Sequence, residues 1–324
     1  MVVIANNDSH MIDRDGVIVQ LCRLMTQRQP IRINLNGEGP CAASLGLYDL
    51  LDRLCAEFDY DPTLVSVETC NLAERHDRYH VVIRPQTMYL FAARQHAQHL
   101  PRPTKTFDLT FRHFGHFIGH GNLQRLHMAS QLHLRHANKL LQSYHYRRGD
   151  EYHEPFVGIE DMLFGDYSWP EIECAFEFIH QCPLTLDQID QYPILNPTTL
   201  NITKIYPEFF LEVVNLTYFS GRTFYIDEKI WRPMLMRTPF MVQGPQNFLK
   251  NLRSIGFRTF DQWWDEGYSE DPGRCQNDGI LRNLQELAHM SVTQLQKLYD
   301  DMRPVLDHNH DLMMSIQLEE MAHA

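Results

Sequence analysis

The chain has 324 residues, 44% of them hydrophobic, which is enough to bury a full core and long enough for two domains of ordinary size. A net charge of −12 argues against a surface built to neutralise nucleic-acid phosphates, since that needs clustered Lys and Arg, although a local basic pocket stays open. The seven cysteines (Cys22, Cys41, Cys55, Cys70, Cys174, Cys182, Cys275) form no CxxC pair and no even framework, so a reduced compartment without a zinc or disulfide scaffold is expected. The opening "MVVIANNDSHMIDRDGVIVQ" has no basic start followed by a long apolar run, and no stretch approaches a membrane span. A soluble, cytoplasmic protein is the expectation.

In chain order, "IRINLNGEGPCAASLGLYDLLDRLCAEF" alternates Ile31, Ile33 and Leu35, passes Gly37 and Gly39, and continues with helical spacing at Leu47, Leu50, Leu51 and Leu54. That predicts strand, loop and helix. "DYDPTLVSVETCN" supplies a turn at Asp61-Pro62 and a second strand, and "RYHVVIR" a third. The two prolines of "HLPRPTKT" place a domain boundary at residues 104/105, giving an α/β lobe over 1–104 and a second over 105–324.

The second lobe is expected to open on "FDLTF", where Phe107, Leu109 and Phe111 share a face, followed by strand and loop in "RHFGHFIGHGN" and a helix in "LQRLHMASQLHL". "KLLQSYHYRR" and "FFLEVVNLTYF" read as strands, and "WPEIECAFEFIHQC" as a helix. "DEKIWRPMLM" is a short helix with Asp227 as N-cap, "PFMVQG" a buried strand and "PQNFLKNLRSIGF" a further helix. This alternation predicts a second doubly wound sheet, so the fold class is α/β with two Rossmann-like lobes. Residues 281–312 read as a long helical tail with Leu281, Leu284, Leu287, Leu295, Leu298 and Met302 on one stripe.

In open α/β sheets ligands lie beyond the carboxyl ends of the strands, beside helix N-termini. Glu228 and Lys229 fall in the first turn of such a helix, where a carboxylate can take two ribose hydroxyls and an ammonium can neutralise a diphosphate. The plainer reading is that Glu228 serves the helix dipole and Lys229 is solvated. Arg125 stands shortly after Gly121 and Asn122 at the equivalent strand-to-helix position. Glycine there admits a phosphate close to the backbone and Arg can grip it with two bonds, or the Arg is an ordinary surface residue.

"FYIDEKIWRPMLMRTPFMVQGP" resembles the signature of the α-1,3-fucosyltransferases and related GT-B glycosyltransferases. Tyr225, Glu228, Lys229, Gly244 and Pro245 match it, and Asp227 stands where that family carries Thr. The resemblance implies a GT-B fold with a cleft between the lobes and a C-terminal helix returning to the first. It also implies ribose binding by Glu228 and diphosphate binding by Lys229. "FGHFIGHGNLQRLHMASQL" is similar to the family's Ser-Asn loop and following Arg, which implies diphosphate contacts for Asn122 and Arg125. "NGEGP" is similar to the family's Gly-Glu-Asn loop, with Gly39 in place of Asn, and implies that Glu38 is the general base. Asn215 matches the Asn of its Glu-Asn-Ser triplet.

Two further patches have plainer explanations. Trp263, Trp264 and Tyr268, beside Asp265 and Glu266, could wall a sugar or base; packing of the preceding helix is the simpler role. His113, His116 and His120 have the spacing of a metal site only on a helix, and their segment reads as strand and loop, so no metal is expected.

The resulting expectation is a glycosyltransferase that moves a sugar from a nucleotide diphosphate donor to an acceptor hydroxyl, inverting and metal-independent, with no cofactor besides the donor. Two rivals stand beside it: a non-catalytic nucleotide-binding or interaction protein on the same scaffold, and a glycosyltransferase acting on modified DNA bases, which the net acidity disfavours.

Overall fold

A computed structural model describes residues 2–4, 14–35, 39–100, 102–119, 121–145, 159, 162–186, 201–219 and 221–321. Runs of β-branched and aliphatic residues build the first sheet: β1 (Val2–Ile4), β2 (Ile31–Leu35), β3 (Val65–Thr69) and β4 (His80–Ile83) lie side by side in chain order, all parallel. The alternation in β2 sends Ile31, Ile33 and Leu35 inward and leaves Arg32 exposed. The crossovers hold α1 (Arg14–Thr26) and α2 (Leu47–Glu57), and α2 turns Leu47, Leu51, Leu54 and Cys55 inward at helical spacing. α1, β2, α2 and β3 share one hydrophobic core, drawn from residues 17–79.

The second sheet is wound differently. β5 (Arg112–Ile118), β6 (Leu140–Tyr144), β7 (Phe209–Asn215) and β8 (Phe240–Gln243) are again parallel, but their order across the sheet is β6-β5-β7-β8. From β5 the chain goes to the β6 edge and then returns to β7 on the other side. The connections therefore part between β5 and β7, a topological switch point where strand-end loops leave a crevice. Every position of β7 is buried, as in a parallel strand covered on both faces.

The helices that follow the first sheet are α3 (Met88–Ala97), α4 (Leu123–His136), α5 (Trp169–Gln181), α6 (Glu228–Leu235), α7 (Phe248–Ser254), α8 (Gly273–Ala288), α9 (Val292–Ser315) and α10 (Leu318–Met321). The chain is thus mixed α/β with two parallel sheets. α3 precedes residue 104 yet buries Leu90 and Ala93 in the core of the second sheet, where it packs against α6 and α9. Arg94 on α3 donates to the Met313 carbonyl at 2.8 Å and also to that of Ile316, which fixes the end of α9.

Two expected elements differ. "FDLTF" is a turn and not part of a strand: Asp108 Oδ1 accepts from the Thr110 backbone N–H at 2.7 Å, and Leu109 is fully exposed. The tail is two helices, because Ser291 starts a new one with a capping box in which its own N–H donates to Gln294 Oε1 at 2.8 Å.

The carboxyl ends of the first sheet meet the connection that follows β7. Asn71, two residues past β3, accepts from the Phe224 N–H at 2.7 Å, and the Leu72 N–H donates to the Phe224 carbonyl at 2.9 Å. Gln86, past β4, pairs with the Tyr225 hydroxyl. Gly221 has φ +73°, and a Cβ there would lie 2.3 Å from Ser44 Oγ, so only glycine fits against the turn that precedes α2.

Candidate functional site

The switch point is built from β5, β7 and the start of α4. Gly121 is required because a Cβ would fall 2.3 Å from the Tyr144 hydroxyl. Asn122 is the N-cap of α4, its Oδ1 accepting from the Arg125 N–H at 2.9 Å. Arg125 is buried and is no ordinary surface residue. Its Nη2 donates to the Leu216 carbonyl at 2.8 Å, just past the end of β7, and its guanidinium stands 5.9 Å from the centroid of the Phe219 ring.

At the far end of the same connection, Asp227 caps α6 as the sequence predicts, with Oδ1 accepting from the Lys229 N–H at 3.0 Å. Its other oxygen accepts from Lys229 Nζ at 2.8 Å, and Glu228 Oε1 accepts from the same ammonium at 2.7 Å. All three side chains are buried, which overturns the picture of a solvated Lys229. Burial acts to raise the Glu228 carboxyl, but the charge and hydrogen bond of the Lys229 ammonium, a backbone N–H and the Arg232 charge together hold it below its usual range. The opposed charges compensate one another in a place where an unpaired one would be costly.

The structure therefore joins Asn122 to Arg125 and Glu228 to Lys229. Tyr225 is buried with its hydroxyl on Gln86, a contact between the two halves of the chain. Glu38 lies outside the described residues, and so does His120. His113 and His116 fall on opposite faces of β5; His113 Nε2 bonds the Met290 carbonyl at 2.8 Å while His116 Nε2 bonds Asn215 Oδ1 at 2.6 Å. Among the described residues no three His, Cys, Asp or Glu side chains cluster as metal ligands, and no helix is long and apolar enough to cross a membrane.

The aromatic patch is core. Trp264 and Tyr268 are buried in the second core, and Trp263 Nε1 donates to Asp301 at 2.7 Å. Glu266 is buried as well: it accepts from the Phe260 N–H at 2.7 Å and pairs with Arg253 at 2.8 Å.

Two features escape a reading of the sequence. The first is a polar row across the carboxyl half of the second sheet, made of Gln142 on β6, His116 on β5, Asn215 on β7 and Gln243 on β8. Gln142 Nε2 donates to the Ala129 carbonyl at 3.0 Å, which can only accept, so the same amide nitrogen donates to His116 Nδ1 at 3.2 Å. The His116 proton is thereby fixed on Nε2, facing Asn215 Oδ1. Asn215 Nδ2 and Gln243 Oε1, neighbours in register, are buried with no hydrogen-bond partner among the described residues. The second feature is a buried ion pair, Arg232 Nη2 to Glu212 Oε1 at 2.5 Å, with the Tyr206 hydroxyl on the other carboxylate oxygen. Glu212 lies mid-strand in "FFLEVVN"; a charged residue inside an apolar run was the available signal.

Comparison of the chain with protein-family models, with curated proteins and with solved structures returned no match.

Proposed function

We propose that the chain is a GT-B glycosyltransferase that binds a nucleotide diphosphate sugar against the second sheet and transfers its sugar to an acceptor hydroxyl held between the two lobes. The observation that carries this reading is the placement of Arg125 and of the Asp227-capped Glu228-Lys229 pair at the two ends of one connection, beyond the carboxyl edge of a doubly wound sheet. Glu228 accepts the ribose hydroxyls, and Asn122 lies beside the diphosphate. As the bond from the anomeric carbon to the phosphate oxygen breaks, Lys229 and Arg125 compensate the charge left on the diphosphate, work that often dominates transition-state stabilisation. Glu38, on the resemblance, takes the proton from the acceptor hydroxyl as its oxygen bonds the anomeric carbon opposite the leaving diphosphate, a single displacement that gives inversion.

The contacts of Asn71, Gln86 and Gly221 support the two-lobed arrangement, because they bring the carboxyl ends of the first sheet to the same connection. One observation favours the rival, a non-catalytic nucleotide-binding protein: Lys229 already bridges two carboxylates, which weakens its pull on a diphosphate. Calorimetry with a panel of nucleotide sugars separates the readings. A tight donor whose affinity drops at least tenfold in both Lys229→Ala and Arg125→Ala is expected, and unchanged affinity in both sinks the assignment. Transfer or donor hydrolysis by the purified chain, lost in Glu38→Gln with donor binding intact, distinguishes the enzyme from the binding protein.

A further inference from the structure

At the opposite edge of the second sheet, by the amino ends of its strands, a pocket of about 360 Å³ opens between residues 102–107, the turn before β8 and α9. Four cationic side chains line it, Arg102, Lys105, Arg237 and Arg303, against two acidic ones, Asp300 and Asp307, in a chain whose net charge is −12. Three guanidinium groups share only two carboxylates. Asp307 is shared by Arg102 at 2.7 Å and Arg237 at 2.8 Å, and Asp300 takes Arg303 at 2.8 Å. Lys105, wholly enclosed at the floor, donates to three neutral acceptors: the carbonyls of Tyr206 and Phe209 and the hydroxyl of Thr238, at 2.7, 2.6 and 2.8 Å. Burial drives its pKa well down, against the Glu212 carboxylate, which works to raise it.

Arg237 adds an independent observation. It follows the C-cap of α6 with φ +47°, a position where glycine costs least and a residue with a Cβ is strained. Its side chain reaches Asp307 and the His310 ring, so the strained backbone position aims a guanidinium at the pocket. The Tyr299 hydroxyl donates to the Arg237 carbonyl at 2.9 Å and fixes one wall of the pocket. Guanidinium forks match the geometry of phosphate oxygens, and the volume admits a phosphate with a ring-sized body.

We propose that this pocket is a second ligand site, for a small phosphorylated molecule whose phosphate is gripped by Arg102, Arg237 and Arg303 and whose body lies against Tyr299. It stands at the carboxyl end of α6, whereas Glu228 and Lys229 open the same helix, about 12 Å away at 1.5 Å per residue. A phosphate probe must therefore be kept off the donor site. Pyrophosphate is titrated by calorimetry into an Arg125→Ala/Lys229→Ala background, with and without Arg303→Gln or Arg102→Gln. The background should still bind one equivalent, and either further substitution should weaken that binding at least tenfold. In the wild-type background, Arg303→Gln should likewise remove one equivalent; Arg303 is exposed and among the described residues pairs with Asp300 of its own helix, so this variant should fold. Absence of binding in the folded background, or binding that ignores Arg303→Gln and Arg102→Gln, overturns the proposal whatever the fate of the donor site.

Discussion

His116 carries no charge at pH 7. It is wholly buried, and burial lowers its pKa to about 4, against the Asn215 hydrogen bond that works to raise it and with the help of the nearby Arg125 charge. Because the folded value lies below the unfolded one near 6.5, the fold binds fewer protons than the unfolded chain between the two. The stabilisation is fully present above pH 6.5 and is lost as pH falls towards 4, on the order of 3 kcal/mol for this residue. His136, held at about 4 by burial and by surrounding cations, adds a loss of the same sign, so the wild-type decline alone does not isolate His116. His116→Gln does. The amide can still donate to Asn215 and accept from Gln142, but it does not titrate. Urea unfolding at intervals from pH 7 to 4.5 should show a shallower decline for the variant, and parallel curves would show that His116 is not held neutral by the fold. The sequence displays this histidine only as one of three at suggestive spacing. Its actual partners come from β6 and β7, a relation set by register between strands that lie far apart in the chain.

At the scale of elements, short-range chemistry was readable where one residue's side chain decides the local backbone. Asp227 before "EKIW" predicts an N-cap and is one, whereas at the start of α5 the Glu171 carboxylate reaches back to accept from the Ser168 N–H at 2.7 Å. "FDLTF" went astray for a related reason: its alternation imitates a strand, but the Asp108 side chain captures the backbone two residues on. α6 gives no amphipathic stripe to read, since all of its residues are buried, Glu228, Lys229 and Arg232 included. Its charged groups are neutralised by one another and by Glu212, a pairing that needs the tertiary fold. The cap can be tested alone. Asp227→Ala removes an acceptor from the Lys229 N–H and a carboxylate from its ammonium, and should lower stability by about 1–2 kcal/mol. Asp227→Asn keeps the cap oxygen and should recover at least half of that in the urea midpoint. Equal losses in the two variants would assign the effect to the lost ion pair instead of the cap.

For the whole molecule, two parallel sheets followed from the alternation of elements, but their mutual attachment did not. The strand order β6-β5-β7-β8 cannot be inferred from a chain that visits its strands one after another. Nor can the inclusion of α3 in the second core, since its "MYLFAARQHA" would pack equally well on either sheet. The attachment rests on buried polar atoms with several partners. Asn71 is fully buried; its Oδ1 accepts from the Phe224 and Ala73 N–H groups at 2.7 and 3.1 Å, and its Nδ2 donates to Glu74 at 3.0 Å. Asn71→Ala leaves the Phe224 N–H inside without its acceptor, at a cost of about 1–3 kcal/mol. That cost falls where the two halves meet and not within either hydrophobic core. Hydrogen exchange should therefore quicken roughly 5- to 150-fold at the Leu72 and Phe224 amides, while amides of β2 and β7 keep their protection. If protection is lost to the same degree through both sheets, the contact belongs to one cooperative unit, and the two cores do not open independently at this seam.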